Sequence, residues 1–213
     1  MGKKVIMALA GLFWFLFLLA HLLGNLTIFA GPDALNGYAH KLEGLKALVI
    51  AAELFLALAL IFHAMYGIIV WWEKWQARPQ KYAMYRSKGK PSYQTTSSRT
   101  MLYTGIVIFI FVVIHLLNFK FGRFETTTIN GQEVRDLFVL VKEVFNQPLY
   151  LIFYEVVMIL LGFHLRHAFW SAFQSLGWGN QKYTPMLYKL GVLLAIIIAA
   201  GFFTIPIYVY LKY

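Results

Sequence analysis

Histidine is the residue type in this sequence whose placement most directly points to chemistry. The chain has six histidines, and four of them, His21, His63, His115 and His164, lie inside long runs of apolar residues. A titratable side chain in such a setting is costly to bury, so it usually has a functional role. One buried histidine alone is more often a hydrogen-bonded structural residue. The arrangement of the four therefore decides what they do.

The apolar runs that hold these histidines are long enough to cross a membrane. A spanning helix needs about 20 mostly apolar residues, and the sequence has five such runs, at about 5–30, 45–72, 100–121, 148–173 and 187–211. The composition agrees, with 60% apolar residues and a mean hydropathy of +0.65. The first run is too long for the apolar part of a cleavable signal peptide. We therefore predict an all-α integral membrane bundle of five transmembrane helices, forming a single domain over 1–213.

Basic residues are concentrated in particular loops, which predicts the orientation of the bundle. The segment 73–99 carries seven basic residues and one acid, whereas the segment 120–146 carries four of each. Loops rich in Lys and Arg stay in the cytoplasm. We therefore expect the N-terminus, the 73–99 loop and the 174–186 turn inside, and the C-terminus outside. This topology accounts for the net charge of +10, so no nucleic-acid partner is expected.

The predicted topology also sets the depth of each histidine. At a rise of about 1.5 Å per residue, His21 and His115 lie late in outward-running helices and hence in the outer half of the bundle. His63 and His164 lie late in inward-running helices, in the inner half. The four histidines therefore form an outer pair and an inner pair, each drawn from two helices.

Two opposed imidazoles at one depth are a set of axial ligands for a b-type haem. We predict two stacked bis-histidine haems inside the bundle. Since both axial positions of each iron would be filled, the expected task is electron transfer and not oxygen binding. Zinc fits less well, because each pair lacks an obvious third ligand and the chain has no cysteine. A proton relay through the histidines is the alternative.

The remaining histidines are weaker candidates. His167 shares a helix face with His164 and could replace it as the ligand. With Arg166, His167 could instead neutralise haem propionates. His40 lies in the loop after the first span and is expected to be a solvated residue.

Four short stretches resemble one family of membrane cytochromes. They are HLLGN at 21–25, FHAMYG at 62–67, VIHLLN at 113–118 and FHLRHAFWSAFQSLGW at 163–178. In this order, on helices one to four with a fifth helix following, they resemble the cytochrome b558-type membrane subunit of succinate dehydrogenase and of menaquinol:fumarate reductase. The resemblance implies His21 and His115 as ligands of the outer haem, and His63 and His164 as ligands of the inner one.

The resemblance also implies the partners and the electron path. A flavoprotein subunit oxidises succinate, and an iron–sulfur subunit passes the electrons on. The present subunit would anchor both at the cytoplasmic face of a bacterial membrane, as part of respiratory complex II and the tricarboxylic acid cycle. Electrons would cross the two haems to a quinone, menaquinone, near the outer side. The chain has no GxGxxG segment that could bind FAD, so the dehydrogenase chemistry is expected on the partner chains. The 73–99 loop and the 174–186 turn form the expected docking surface.

Two acids, Glu53 and Glu155, lie within the predicted spans, both in the outer half. Quinone reduction takes up protons, so either carboxylate is a candidate for proton transfer; a structural hydrogen bond is the alternative. Some fumarate reductases of this family have a glutamate two residues before the fourth ligand, used for transmembrane proton transfer. Gly162 occupies that position here, so that route is not expected.

Two other classes of protein share some of these features. The membrane cytochrome b of a formate dehydrogenase or hydrogenase would also contain buried histidine pairs, but with another helix order and other partners. A transporter or scaffold without haem would contain the spans alone. An optical spectrum and the identity of co-purifying subunits distinguish these classes.

Overall fold

The computed structural model of the chain describes residues 2–77, Gln80 and 95–213. Five of the described helical segments are long and apolar enough to cross a membrane. They are Gly2–Ala30, Lys46–Gln76, Thr96–Lys120, Pro148–Ser175 and Thr184–Lys212. Each overlaps one predicted run, which confirms the all-α fold with five spans. The orientation of the bundle in the membrane stays a prediction.

In chain order the described elements are α1 (Gly2–Asn25), continued by a 3-10 turn (Leu26–Ala30), α2 (Pro32–Glu43), α3 (Lys46–Gln76), α4 (Thr96–His115), continued by a π-helical turn (Leu116–Lys120), β1 (Thr126–Ile129), β2 (Gln132–Arg135), α5 (Leu137–Phe145), α6 (Pro148–Ser175) and α7 (Thr184–Lys212). The five spans are therefore α1, α3, α4, α6 and α7, with α1 and α4 each extended by the turn that follows.

Local sequence signals set where several helices begin. Thr95 and Ser98 form a capping box before α4: the Thr95 N–H donates to Ser98 Oγ at 2.9 Å, and the Ser98 N–H donates to Thr95 Oγ1 at 3.3 Å. Asp136 caps α5 by accepting from the Val139 N–H at 3.1 Å. Pro148 occupies the first turn of α6, where its missing N–H leaves no helical hydrogen bond unmade.

Three short elements that the sequence analysis did not predict cover one end of the bundle. They are α2, in the α1–α3 connection, and the β1–β2 hairpin with α5, in the α4–α6 connection; together we call them the end cap. The hairpin closes through Asn130 and Gly131, both with positive φ, as an Asn-Gly turn requires. Asn36 joins the parts: its Nδ2 donates to Asp136 Oδ1 at 2.9 Å, and its Oδ1 accepts from the Phe138 N–H at 2.9 Å.

The spans pack around α1 and α6. α1 contacts α3 and α6, and α6 contacts α4 and α7. The outward faces carry exposed apolar side chains, such as Leu48 and Leu54 on α3, as expected for helices that face lipid.

Between α6 and α7 the approach is close, since a Cβ at Gly162 would lie 3.1 Å from Ala199 Cβ. A side chain at this position would require α7 to shift by a few tenths of an ångström, which gives a packing reason for the glycine.

Candidate functional site

His21 on α1 and His115 on α4, the outer pair, face each other in the half of the bundle next to the end cap. Their ring centres are 5.8 Å apart and their planes are perpendicular. Phe17 stacks on His21 with 5.2 Å between ring centres. The rings of Phe111 and Phe119 lie 5.5 and 5.2 Å from His115. Apolar rings therefore surround the outer pair.

His63 on α3 and His164 on α6, the inner pair, face each other in the opposite half. Their ring centres are 6.3 Å apart, with 65° between the planes. His63 Nδ1 lies 2.9 Å from the carbonyl oxygen of Met7 on α1. His164 Nδ1 lies 3.1 Å from Oγ1 of Thr104 on α4. Each inner ring is thus held by a hydrogen bond to a neighbouring helix.

These hydrogen bonds show which nitrogen of each inner ring contacts a neighbouring helix. A carbonyl oxygen only accepts, so His63 donates from Nδ1. The Thr104 hydroxyl has one proton and lies 3.1 Å both from the Thr100 carbonyl oxygen and from His164 Nδ1; when it donates to the carbonyl, it accepts from His164 Nδ1. Among the described residues, Nε2 of neither ring has a hydrogen-bond partner. A proton on Nδ1 leaves a free lone pair on Nε2, which is the form of imidazole that binds a metal.

Glycines allow the inner rings to lie this close to the neighbouring helices. A Cβ at Gly11 would be 3.0 Å from His63 Cε1 and 3.1 Å from its Nδ1, and a Cβ at Gly105 would be 3.4 Å from His164 Cε1. The first of these approaches is tighter than ordinary packing allows, so a side chain there would push the ring aside. Each glycine lies on the helix that also supplies the hydrogen-bond acceptor.

Sequence reasoning missed the groups that hold the inner rings. Met7 contributes only a backbone carbonyl, which no side-chain pattern reveals. Thr104 is one of few polar residues in its apolar run. A usable signal is a repeated spacing: Gly11 and Gly105 each lie ten residues before the outer-pair histidine of the same helix.

The separation of the rings fits two ligands on opposite sides of one metal ion. Metal–imidazole bonds are about 2.0–2.1 Å long, so two such ligands have ring centres about 6 Å apart; the observed values are 5.8 and 6.3 Å. Each set consists of two histidines, and no group of three or more His, Asp or Glu side chains able to hold a metal occurs in the described ranges. Each pair therefore offers the two histidine ligands that the iron of a b-type haem would take. Ligation itself stays a prediction.

The outer rings are held differently from the inner ones. His115 Nδ1 is buried and has no hydrogen-bond partner within the described residues. Asn25 Nδ2 lies 3.4 Å from both ring nitrogens of His21, between them and not in line with either, and donates to the His21 carbonyl oxygen at 2.7 Å. Beside His115, the Tyr154 hydroxyl accepts from Asn118 Nδ2 at 3.2 Å. Nδ1 of each inner ring therefore has a hydrogen-bond partner on a neighbouring helix, whereas Nδ1 of His115 in the outer pair has none among the described residues.

The two candidate acids have different surroundings. Glu53 forms an ion pair with Lys120 at the end of the α4 span, and both side chains are partly exposed. Both carboxylate oxygens of Glu155 are buried and have no hydrogen-bond partner among residues 2–77, 80 and 95–213. Glu53 therefore has a charged partner on a neighbouring helix, whereas the carboxyl group of Glu155 has no described contact that explains it; the role of either acid in proton transfer stays a prediction.

Arg166 and His167, the two other candidate residues near His164, have different surroundings. Arg166 Nη2 donates to the Tyr188 hydroxyl on α7 at 2.7 Å, which directs the guanidinium away from His164. His167 lies against Trp170, with 5.3 Å between ring centres, and its Nδ1 is buried without a partner in the described part of the chain. The contacts of Arg166 and His167 with haem propionates stay predictions. No described contact of Arg166 supports its predicted contact with a propionate.

Two other sequence predictions concern polar residues near the ends of the bundle. His40 lies on α2 and not in an irregular loop; its Nδ1 is 3.9 Å from Glu43 Oε2, and its side chain is 44% exposed. The predicted docking loop 73–99 is described only in part, because 78–79 and 81–94 lie outside the described residues. At its start, Glu73 forms an ion pair with Lys3.

Five helices long and apolar enough to cross a membrane, with four histidines brought together as two pairs, are the architecture of a multi-pass helical membrane protein. The chain is 27% identical, over 189 residues, to the succinate dehydrogenase cytochrome b558 subunit of Bacillus subtilis (strain 168). The match covers 86% of this chain and 81% of that protein, which confirms the resemblance seen in the sequence. No family model matches the chain, and no solved structure matches it significantly.

Proposed function

We propose that this chain is the membrane anchor and electron-transfer subunit of a succinate dehydrogenase or fumarate reductase in a bacterial cytoplasmic membrane. The observation that carries the proposal is the inner pair, in which Nδ1 of both rings is hydrogen-bonded, Nε2 of both has no partner among the described residues, and the ring centres are 6.3 Å apart. The similarity to the Bacillus subtilis subunit supports it. Two b haems, when bound, supply one-electron carriers at two depths of the membrane.

The residues of the bundle would hold these electron carriers and prevent oxygen from binding to them. His63 and His164 bind at the inner position, and His21 and His115 at the outer one. Gly11 contacts the inner pair and lies ten residues before His21 on α1, so the two positions are about 15 Å apart along the bundle. If both histidines of a pair bind one haem iron, they would leave no ligand position for oxygen, so the bound group would carry electrons.

Electrons would leave the chain at a quinone, menaquinone, near the outer pair. Quinone reduction consumes two protons with two electrons, so the site needs a group that holds and transfers protons. Glu155 is the better of the two candidates, because its buried carboxyl oxygens have no hydrogen-bond partner among the described residues and so are free to exchange a proton with a quinone. Glu53 has Lys120 as its partner.

The flavoprotein and iron–sulfur subunits would dock at the end of the bundle opposite the end cap. This end holds the start of α1, the end of α3, the start of α4 and the 174–186 turn. The excess of basic residues in the sequence 73–99 is the reason to expect this end in the cytoplasm. The succinate or fumarate chemistry takes place on these partner subunits, and the present chain conducts electrons between them and the quinone.

Purification of the intact complex, with haem counting by pyridine haemochrome, tests the proposal. We expect two b haems per chain. Alanine at either inner histidine should remove one haem, and alanine at either outer histidine should remove the other, so that the four variants fall into two spectral classes. His40→Ala is the control and should retain both haems. His167→Ala should also retain both if His164 is the ligand.

Three results would contradict the proposal. A wild-type protein without haem excludes the cytochrome function. Losses that do not group as His21 with His115 and His63 with His164 exclude the assigned pairs. Co-purification with a formate dehydrogenase or hydrogenase in place of a succinate-oxidising flavoprotein assigns the chain to another complex.

A further inference from the structure

A groove lies between α6 and α7 at the surface of the bundle. Its volume is about 470 Å³. Its lining includes Met158, Ile159, Gly162 and Arg166 from α6, and Ala199 and Ala200 from α7. Small residues on the facing helices create the space, and the groove opens toward lipid, since Ile159 is 51% exposed. An apolar groove with one cationic side chain is suited to an amphipathic molecule with a hydrocarbon chain and an anionic group.

Arg166 is the charged side chain in this groove, and no acid among the described residues forms an ion pair with it. Its Nη2 donates to the Tyr188 hydroxyl at 2.7 Å, and its guanidinium carbon lies 5.9 Å from the centre of the Tyr188 ring. No carboxylate lies within 4 Å of it among the described residues. The segment 78–94, which includes the residues outside the description, contains no Asp or Glu. A guanidinium inside a membrane span with only a neutral partner is costly, so an external anion would stabilise it.

The depth of Arg166 matches the headgroup region of one leaflet. α6 has 28 residues and is about 42 Å long, so it extends about 6 Å beyond each side of a centred hydrocarbon core of about 30 Å. Arg166 lies nine residues before the end of α6 at Ser175, which places its backbone about 8 Å inside that core. A long arginine side chain spans most of this distance and can reach lipid phosphate.

We propose that this groove binds one anionic phospholipid from the leaflet opposite the end cap. One acyl chain lies in the groove beside Gly162 and Ala200, and the phosphate accepts hydrogen bonds from Arg166. The Tyr188 hydroxyl holds the guanidinium at the mouth of the groove by accepting from Nη2. Basic pockets between membrane helices bind anionic headgroups in this way. The site is independent of haem ligation and would exist whether or not the histidine pairs bind iron.

The position of Arg166 distinguishes this site from the haem positions. Residues two apart on a helix point about 200° from each other, so Arg166 and His164 lie on opposite sides of α6. His164 contacts Thr104 on α4, whereas Arg166 contacts Tyr188 on α7. The guanidinium therefore lies at the surface between α6 and α7, on the side of α6 opposite His164.

Lipid retention by the purified complex tests the proposal. The complex is equilibrated with equal amounts of phosphatidylglycerol and phosphatidylcholine carrying the same acyl chains, stripped with detergent, and examined by native mass spectrometry. We expect one retained phosphatidylglycerol per chain. Arg166→Gln should reduce the preference for phosphatidylglycerol at least about tenfold, because it removes charge-assisted hydrogen bonds. Ala200→Phe should release the lipid by filling the groove, and Arg166→Lys should keep much of the preference.

Matched controls separate this site from general surface charge. Lys189→Gln removes one positive charge from the same end of α7, outside the groove, and should leave retention unchanged. Gel filtration and the haem spectrum verify that each variant is folded. Equal retention by wild type and Arg166→Gln, equal loss with Lys189→Gln, or a quinone in place of the phospholipid would each overturn the proposal.

Discussion

Replacement of Thr104 by valine tests the hydrogen bond that orients the inner ligand His164. Valine has nearly the shape of threonine, so the change removes the acceptor at 3.1 Å from His164 Nδ1 and leaves the packing in place. A buried N–H without a partner costs about 1–3 kcal/mol. Loss of a group that orients a metal ligand typically lowers metal affinity about 10–100-fold, or about 1.4–2.7 kcal/mol. The two values agree, so we expect the inner haem to bind about 10–100-fold more weakly.

Haem transfer to excess apomyoglobin measures this effect in the purified complex. One of the two haems should leave Thr104→Val about 10–100-fold faster than it leaves wild type, and the other should leave at the wild-type rate. Thr104→Ser keeps the hydroxyl and should restore slow transfer. Thr100→Val is the matched control, because the Thr100 hydroxyl donates to the Thr96 carbonyl oxygen at 2.9 Å and does not contact His164.

Two results would refute this reasoning. If Thr104→Val loses haem no faster than Thr100→Val, the hydrogen bond does not orient the ligand. If it loses both haems at equal rates, the change loosens the whole bundle, and the effect is not specific to the inner pair.

Three further substitutions test other parts of the structure. Gly11→Ala places a Cβ 3.0 Å from His63 Cε1 and should displace that ring, so total haem falls toward one per chain by pyridine haemochrome. Glu155→Gln should lower quinone-linked turnover by about 10²-fold or more if the carboxyl group transfers protons, with haem content unchanged; Glu53→Gln should leave turnover near wild type, and the reverse result would exchange their roles. Asn36→Ala removes two hydrogen bonds within the end cap and should lower the free energy of unfolding by about 1–3 kcal/mol, seen as a lower Tm, whereas an unchanged Tm would show that these bonds do not stabilise the cap.

The sequence alone determined the spans and the partners within each histidine pair. Spans follow from counting apolar residues, because the thickness of the bilayer fixes the length of a helix that crosses it. The rise per residue then converts position in the sequence into depth. Two histidines at the same depth on different helices of one bundle are placed to contact each other. The structure shows His21 beside His115 and His63 beside His164.

Tertiary structure decided what surrounds each side chain, because position along a helix fixes depth but not the direction that a residue faces. Glu53 and Glu155 looked equivalent in the sequence, yet one pairs with Lys120 and the other has no described partner. Arg166 lies two residues from His164 but faces the opposite side of α6. The carbonyl of Met7 became part of the inner site only because α1 packs beside α3. Neighbouring helices are chosen by packing over the whole bundle, and no local pattern contains that choice.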